Sequence, residues 1–98
     1  MEFVEPDDSG YTIYSKSNCN YCIKIKEALI QKKYYFLEIQ CDEYLIKNRD
    51  NFLSFIQDKI GKTYTTFPMV FYDGKFIGGS VEGIAHIEKN SLSFNDLF

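Results

Sequence analysis

The pattern of apolar and polar positions predicts a strand, a helix and a second strand in the first part of the chain. Residues 11–15 are mostly β-branched or aromatic, which is typical of a short strand, and residues 35–39 have a similar character. Between them, from Asn20 to about Lys32, apolar side chains recur every three or four residues. One helical face therefore carries Cys22, Ile25, Ala28 and Leu29. A strand, a helix and a strand in this order form a βαβ unit, whose strands run parallel with a right-handed crossover.

The remainder of the chain predicts a helix, a hairpin and a final helix. Residues 44–60 carry a stripe of apolar side chains and are followed by Gly61, a common helix stop. After it the pattern predicts, in order, a strand at 67–72, an Asp73-Gly74 hairpin turn, a returning strand at 75–77, a helix at 81–89 and a last turn from Ser91 to Leu97.

The order β-α-β-α-β-β-α predicts an α/β fold with one mixed four-stranded sheet flanked by helices. At 98 residues, the chain fits one domain whose core needs neither a metal nor disulfides. Residues 1–10 form a polar lead-in with turn signals such as Pro6 and Gly10. We therefore expect a single domain over 11–98, with no internal repeat and no linker.

Charge and composition indicate which kinds of binding partner are unfavourable for this chain. The net charge is −3 and the pI about 5.0, which disfavours nucleic acid and anionic membranes. No apolar run approaches the ~20 residues of a transmembrane helix. The N-terminus has neither the basic start nor the apolar stretch of a secretory signal, so we expect a cytoplasmic protein. Three cysteines, an odd number, argue against a disulfide framework and indicate redox or metal chemistry for the close pair.

The close pair is Cys19 and Cys22, with Cys19 at the entry to the first predicted helix. A thiol there faces the unpaired N–H groups and the positive end of the helix dipole, which favour the thiolate needed for disulfide exchange. Lys16 can add positive charge nearby. Cys22 lies one turn later on the same side and is expected to be more buried. We therefore expect Cys19 to attack and Cys22 to resolve.

The sequence is also compatible with other interpretations of the cysteines. The pair can be two core residues without chemistry. A zinc site would need two more ligands, for which only Cys41 and His86 are candidates, and neither has a paired ligand spacing. His86 is more often a surface or helix-packing residue. Cys41 is best interpreted as a small, partly buried apolar side chain, with accessory redox chemistry or glutathionylation as a minor alternative.

Two further motifs follow the cysteine pair. Pro68 cannot donate a ladder hydrogen bond, and a cis Phe67-Pro68 bond would expose the backbone of Phe67 to an extended, peptide-like substrate. Gly78-Gly79-Ser80 can bring backbone N–H groups close to a carboxylate at the start of the following helix. Each of these two motifs is weak evidence of a binding site when taken alone. Their significance comes from following the cysteine pair in this order along one chain.

Together, these motifs resemble those of glutaredoxins. The resemblance covers residues 11–88 and rests on Tyr14-Ser15-Lys16, Cys19-Asn20-Tyr21-Cys22, Thr66-Phe67-Pro68 and Ile77-Gly78-Gly79. Thioredoxins usually carry Gly-Pro between their cysteines and a Trp before them, whereas this chain has no Trp. The resemblance implies a thioredoxin-like fold and glutathione as co-substrate. Oxidised or glutathionylated proteins are the expected partners, and a monomer is the default oligomeric state.

The resemblance also implies roles for individual residues. Cys19 would form a mixed disulfide with glutathione, and Cys22 would resolve protein disulfides. The implied glutathione-binding positions are Lys16 for the glycine carboxylate, Tyr21 beside the sulfur, the Phe67 backbone ahead of cis-Pro68 for the cysteine backbone, and Gly79, Ser80 and Val81 for the γ-glutamyl end. Thr66 is a further binding position of the same motif.

Three departures from the family pattern matter. Asn20 stands where dithiol members usually have Pro, and such sites sometimes bind a [2Fe–2S] cluster between two subunits. The alternative function is therefore a cluster-binding dimer with Cys19 and glutathione as ligands; otherwise we expect no metal. Val81 occupies the place of a common acidic residue, with Glu82 one position later. The segment 62–65 is longer than the usual approach to the cis-proline.

Overall fold

The computed structural model describes the backbone of residues 2–95 and the side chains of residues 2–90. Met1 and residues 96–98 lie outside this range. In chain order, the elements are β1 (Tyr11–Ser15), α1 (Asn20–Gln31), β2 (Phe36–Gln40), α2 (Asp42–Lys47), α3 (Arg49–Ile60), β3 (Met69–Tyr72), β4 (Lys75–Gly78) and α4 (Ser80–Asn95). Among the described residues, no helix is both long and apolar enough to cross a bilayer.

The strands form one mixed sheet in the order β2-β1-β3-β4. β1 runs parallel to β2 with Tyr11 opposite Phe36, and antiparallel to β3 with Tyr11 opposite Tyr72. β3 and β4 pair antiparallel through the predicted Asp73-Gly74 turn. The predicted α/β architecture is therefore confirmed, including the parallel βαβ unit.

The main differences from the sequence prediction lie in three elements, and the other bounds agree within two residues. The helix predicted at 44–60 is two helices separated at Asn48, whose φ of −146° and ψ of 47° lie outside the helical region. Asparagine favours helix ends because its side chain competes for backbone hydrogen bonds. β3 begins at Met69 rather than Phe67, since Pro68 has no N–H to donate to the ladder. α4 continues past Ser91 to Asn95, and the predicted end at Leu97 lies outside the described residues.

β1 is the central constraint on packing, because all five of its residues are buried. Each face of the sheet carries its own core cluster. One cluster joins β1 and β3 to α3, with Tyr14, Phe52, Ile56, Met69 and Phe71 at its centre. The other joins the sheet to α1 and α4, with Tyr11, Ile13, Ile25, Leu29, Val70 and Ile87. Because β1 is packed on both faces, its end has little freedom to move, and the loop that follows Ser15 therefore leaves the sheet at a defined position.

The N-terminal segment packs onto the first of these clusters. The ring of Phe3 lies 4.9 Å from that of Tyr44 and 5.5 Å from that of Phe52, measured between centroids. Tyr14 donates its hydroxyl proton to the carbonyl of Val4 at 2.7 Å, and burial raises the pKa of this phenol. Part of the polar lead-in therefore contributes an aromatic side chain to the core.

Cys41 and His86 lie on opposite faces of the sheet. Cys41 belongs to the cluster with Phe52, whereas His86 Nδ1 lies 2.8 Å from the hydroxyl of Tyr11 in the other cluster. The two side chains therefore cannot complete a zinc site with Cys19 and Cys22. His86 is the helix-packing residue that the sequence favoured.

Cys41 is completely buried, and its thiol lies 3.4 Å from the carbonyl oxygen of Ile39. Burial, with a smaller contribution from the neighbouring Asp42 charge, raises the pKa of the Cys41 thiol to about 12. The neutral thiol is therefore the form that the fold accommodates, which agrees with the apolar interpretation.

We expect Cys41 to resist iodoacetamide in the reduced, folded protein at about pH 8, because alkylation requires a thiolate. Folding raises the pKa of Cys41, so burying the neutral thiol contributes fully to the free energy of unfolding at a pH below the unfolded pKa of ~8.5. That contribution is lost as the pH rises from there toward the folded pKa of about 12. Peptide mass spectrometry after labelling, with and without concentrated urea, measures this protection. Equal labelling of Cys41 in both conditions would contradict the assignment.

Gly83 allows α4 to approach α1 and the sheet closely. A Cβ atom placed on Gly83 would collide with Ile25 Cδ1 and lie 2.9 Å from Val70 Cγ2. Both neighbours are completely buried, so they have little room to move.

We expect Gly83→Ala to lower the free energy of unfolding by about 1–3 kcal/mol through overpacking. At an exposed helical position, the same change would raise the free energy of unfolding by up to about 1 kcal/mol, because alanine has the higher helix propensity. Urea unfolding measures the difference, and Ala85→Gly at the exposed neighbouring position supplies the propensity control. A higher unfolding midpoint for Gly83→Ala would show that the contact is not tight.

Candidate active site

The end of β1 is tied to α1 and β2 just before the cysteine pair. Buried Ser15 donates its hydroxyl proton to Glu38 at 2.7 Å, and Lys26 donates to the same carboxylate oxygen at 2.7 Å. Burial by itself would raise the pKa of Glu38, but these two hydrogen bonds and the Lys26 charge hold it below its ordinary value. The carboxylate thus joins the strand end to the helix that carries Cys22.

The loop that follows is held by Asp42, the first residue of α2. The backbone N–H of Ser17 donates to Asp42 Oδ1 at 2.9 Å, and the Ser17 hydroxyl donates to Oδ2. These two hydrogen bonds, with the charge of Lys16, lower the pKa of Asp42. Asn18 then adopts a φ of 55°, a left-handed conformation that Asn tolerates better than most residues. The anchored loop delivers Cys19 to the start of α1.

Cys19 is the N-cap residue of α1, with extended φ and ψ of −124° and 99°. Its sulfur accepts a hydrogen bond from the backbone N–H of Cys22 at 3.2 Å. The first turn of α1 contains no acidic residue that would oppose negative charge there. The sulfur occupies the place of a capping oxygen, so the helix terminus favours the thiolate over the thiol.

Cys19 and Cys22 form a disulfide, with their Cα atoms 5.3 Å apart. The predicted three-residue spacing is therefore confirmed as close enough for a reversible bond. The interpretation as two unrelated core residues is wrong. Cys19 is 8% exposed and Cys22 is 1% exposed, so an external sulfur reaches Cys19 first.

Two adjoining cavities form a groove beside Cys19. Their volumes are 340 and 490 Å³, in the range of small-molecule sites. Tyr21, Thr66 and Phe67 line both cavities. Cys19 and Lys16 line the larger one, and the smaller is also lined by Pro68, Gly79, Ser80 and Val81. The structure therefore brings every predicted binding position to one groove.

Phe67 lies at the centre of this groove. Its peptide bond to Pro68 is cis, and its carbonyl oxygen lies 3.8 Å from Cys19 Sγ. Its backbone lies outside the ladder of β3, which begins at Met69. Lys16 Nζ is 5.9 Å from the centroid of the Phe67 ring. An extended ligand pairing with Phe67 would thus pass directly over the Cys19 sulfur.

Tyr21 is an exposed aromatic side chain at the junction of the two cavities. It is 60% exposed, and Lys24 Nζ lies 5.8 Å from its ring centroid. The ring is therefore available to a ligand bound at Cys19.

The turn before α4 differs from the sequence expectation in one respect. Glu82 Oε1 accepts a hydrogen bond from the backbone N–H of Gly79 at 2.9 Å, as in a helix capping box. That N–H, expected to face a ligand carboxylate, is therefore already paired. The first N–H groups of α4, at Ser80 and Val81, have no partner within the helix. Gly78 has a φ of 144°, and a Cβ there would meet the Glu82 side chain at 2.7 Å.

Five residues of the groove had no binding role in the sequence prediction. Asn18, Asn20 and Thr65 line the larger cavity, and Tyr64 and Glu82 line the smaller one. Tyr64 and Thr65 lie in the segment before Pro68 that is longer than is usual in the family. That extra length was the feature of the sequence that could have indicated further groove residues. Glu82 stands three residues after Gly79, the spacing of a capping box.

Metal ligands are not grouped in the described part of the chain, where no three His, Cys, Asp or Glu side chains come together. A cluster shared between two subunits would rest on Cys19 and external glutathione. The cluster-binding alternative stays a prediction that no contact in the structure favours.

Known proteins resemble this chain in sequence and in fold. The glutaredoxin family model matches residues 11–77. Glutaredoxin 1 of Escherichia coli K12 is 29% identical over 86 residues, covering 80% of this chain and 92% of that protein. Glutaredoxin 1 from Francisella tularensis, crystallised with cacodylate, is 28% identical with a TM-score of 0.69, covering 81% of this chain and 92% of its own. Wheat glutaredoxin is 30% identical with a TM-score of 0.64, and the match covers 79% of this chain and 69% of the wheat chain.

These structures confirm the thioredoxin-like fold, and the family match includes both cysteines and the Phe67-Pro68 bond. The site and the match agree on the chemistry, an exchange between thiols and disulfides. The chain belongs to the glutaredoxin family of thiol–disulfide oxidoreductases.

Proposed function

We propose that this protein reduces glutathione mixed disulfides and protein disulfides through the Cys19 thiolate, with glutathione as the electron donor. The observation that carries the proposal is the Cys19–Cys22 disulfide at the start of α1, opening onto a groove of peptide-binding character. Family membership supports the reaction type. The groove supports the choice of glutathione, because Cys19 and Lys16 line its larger cavity and the adjoining smaller cavity continues past Tyr21 and Phe67 to the start of α4, which gives room on both sides of the thiol of a short peptide.

Reduction of a glutathione mixed disulfide needs only Cys19. The Cys19 thiolate attacks the glutathione sulfur, a new disulfide forms with glutathione, and the substrate leaves as a thiolate that takes a proton from water. A second glutathione thiolate then attacks the glutathione sulfur bound to Cys19. Oxidised glutathione leaves and the Cys19 thiolate is regenerated, so each turnover consumes one free glutathione, and the other half of the oxidised glutathione comes from the mixed-disulfide substrate.

Reduction of a protein disulfide also uses Cys22. Cys19 first forms a mixed disulfide with one substrate sulfur and releases the other as a thiolate. The Cys22 thiolate then attacks Cys19 Sγ, which releases the substrate dithiol and forms the Cys19–Cys22 disulfide. Two glutathione molecules reduce that disulfide in turn. The low exposure of Cys22 supports this order, because it is reached more easily from Cys19 than from solvent.

The groove residues have complementary roles in this proposal. Lys16 attracts the glycine carboxylate, and Tyr21 packs beside the glutathione sulfur. The backbone of Phe67, ahead of Pro68, pairs with the cysteine of glutathione. The γ-glutamyl end lies in the smaller cavity, toward the start of α4.

We expect Cys19→Ser to abolish glutathione-coupled reduction of both substrate types, because the attacking sulfur is lost. Cys22→Ser should retain most of the activity on a glutathione mixed disulfide but lose activity on a protein disulfide. Coupled oxidation of NADPH by glutathione reductase measures both reactions.

Cys41→Ser is the matched control, since it removes a thiol outside the groove. Full activity of Cys19→Ser on either substrate would refute the assignment of the nucleophile. If the wild-type protein were inactive with glutathione but active with a dithiol reductant, the choice of electron donor would be refuted.

A further inference from the structure

Tyr64 places a rigid hydroxyl in the smaller cavity. Its ring packs edge-on against Phe76, with centroids 4.9 Å apart and an interplanar angle of 71°. The same ring packs against the core cluster that contains Phe52 and Phe71. Tyr64 also lines the 340 Å³ cavity. The ring is therefore held by the core, whereas its polar end faces the groove.

The hydroxyl lies over Gly79, at the start of α4. A Cβ atom placed on Gly79 would lie 2.8 Å from Tyr64 Oη, closer than van der Waals contact allows. Among the two glycines of the turn, only Gly78 has a φ in the left-handed range. The backbone of Gly79 would therefore accept a side chain, and the Tyr64 hydroxyl is what requires glycine there.

Hydrogen bonding at the turn leaves Tyr64 free to donate. The N–H of Gly79 is taken by the Glu82 carboxylate, so it cannot serve a ligand without breaking that bond. Among the residues with described side chains, Tyr64 Oη has no hydrogen-bond partner in the protein. Every buried side-chain N or O atom of those residues does have a partner, so this hydroxyl is not buried and solvent reaches it. A phenol that is fixed and solvated donates to a ligand at little cost in side-chain entropy.

We propose that Tyr64 Oη donates a hydrogen bond to the α-carboxylate of the γ-glutamyl end of glutathione, and so selects glutathionyl disulfides over shorter peptide disulfides. This inference rests on the proposed function. The carboxylate would lie between Tyr64 Oη and the N–H groups of Ser80 and Val81. Tyr64 Oη would supply the hydrogen bond that the Gly79 N–H, already paired with Glu82, does not donate. The γ-glutamyl end also carries an ammonium group, so the Glu82 carboxylate in the same cavity does not exclude it.

Single-turnover thiol exchange in a Cys22→Ser background tests this role, because the mixed disulfide on Cys19 then accumulates and intact mass spectrometry counts it. The probes are oxidised glutathione and the disulfide of cysteinylglycine, which lacks the γ-glutamyl group. Tyr64→Phe should slow reaction with oxidised glutathione about tenfold, the usual effect of losing a hydrogen bond to a charged group. The rate with the cysteinylglycine disulfide should be unchanged.

Tyr35→Phe is the matched control, since it removes a phenol hydroxyl that is 93% exposed and does not line either cavity of the groove. It should change neither rate. An unchanged rate of Tyr64→Phe with oxidised glutathione, or equal slowing with both probes, would overturn the inference. Failure of the proposed function is distinct, because the parent Cys22→Ser protein would then form no mixed disulfide with oxidised glutathione.

A double-variant cycle with Gly79 separates binding from packing. Gly79→Ala should slow the reaction with oxidised glutathione, because the new Cβ displaces the Tyr64 hydroxyl. In the Tyr64→Phe background, which lacks that hydroxyl, Gly79→Ala should add little further loss. Fully additive losses would overturn the coupling between Tyr64 and this turn.

Discussion

The hydrogen bond from the Cys22 N–H to Cys19 Sγ is the interaction on which the site depends. It places a sulfur where a helix would otherwise use a capping oxygen, at the helix end whose first N–H groups have no partner within the helix. The surrounding structure preserves this geometry. β1 is buried on both faces, Glu38 joins the strand end to Lys26 of α1, and Asp42 anchors the intervening loop through Ser17.

The three cysteines show how environment assigns different chemistry to one side chain. Cys19 lies at a helix N-terminus beside a groove, and Cys22 lies one turn deeper and almost fully covered. Cys41 is enclosed by the aromatic cluster near Phe52, where burial raises its pKa to about 12. Only the first position combines access with stabilisation of negative charge, which is what attack on a disulfide requires.

The groove is a product of the sheet topology. The loop after β1, the segment before β3 and the turn after β4 come from distant parts of the chain, and the antiparallel pairing of β3 with β1 and β4 brings them to the same end of the sheet. Cys19 and Phe67 therefore meet although they are separated by 48 positions. The residues that recognise a ligand are supplied by irregular segments, while the strands and helices fix their spacing.

The amino-acid sequence alone predicted the order of the elements, apart from the break at Asn48 between α2 and α3, together with the cysteine pair at a helix start and the motifs of the groove. These features are local, because hydrophobic periodicity, capping and the missing N–H of proline act over a few neighbouring residues. Four features emerge only in the folded chain: the anchoring of Ser17 by Asp42, the packing of Phe3, the pairing of the Gly79 N–H with Glu82, and the position of Tyr64 over Gly79. The Gly79–Glu82 bond has a recognisable local spacing, but whether it forms or yields to a ligand depends on the surrounding turn. The other three are contacts between segments far apart in the chain, and no local pattern encodes which distant side chain will fill a given space.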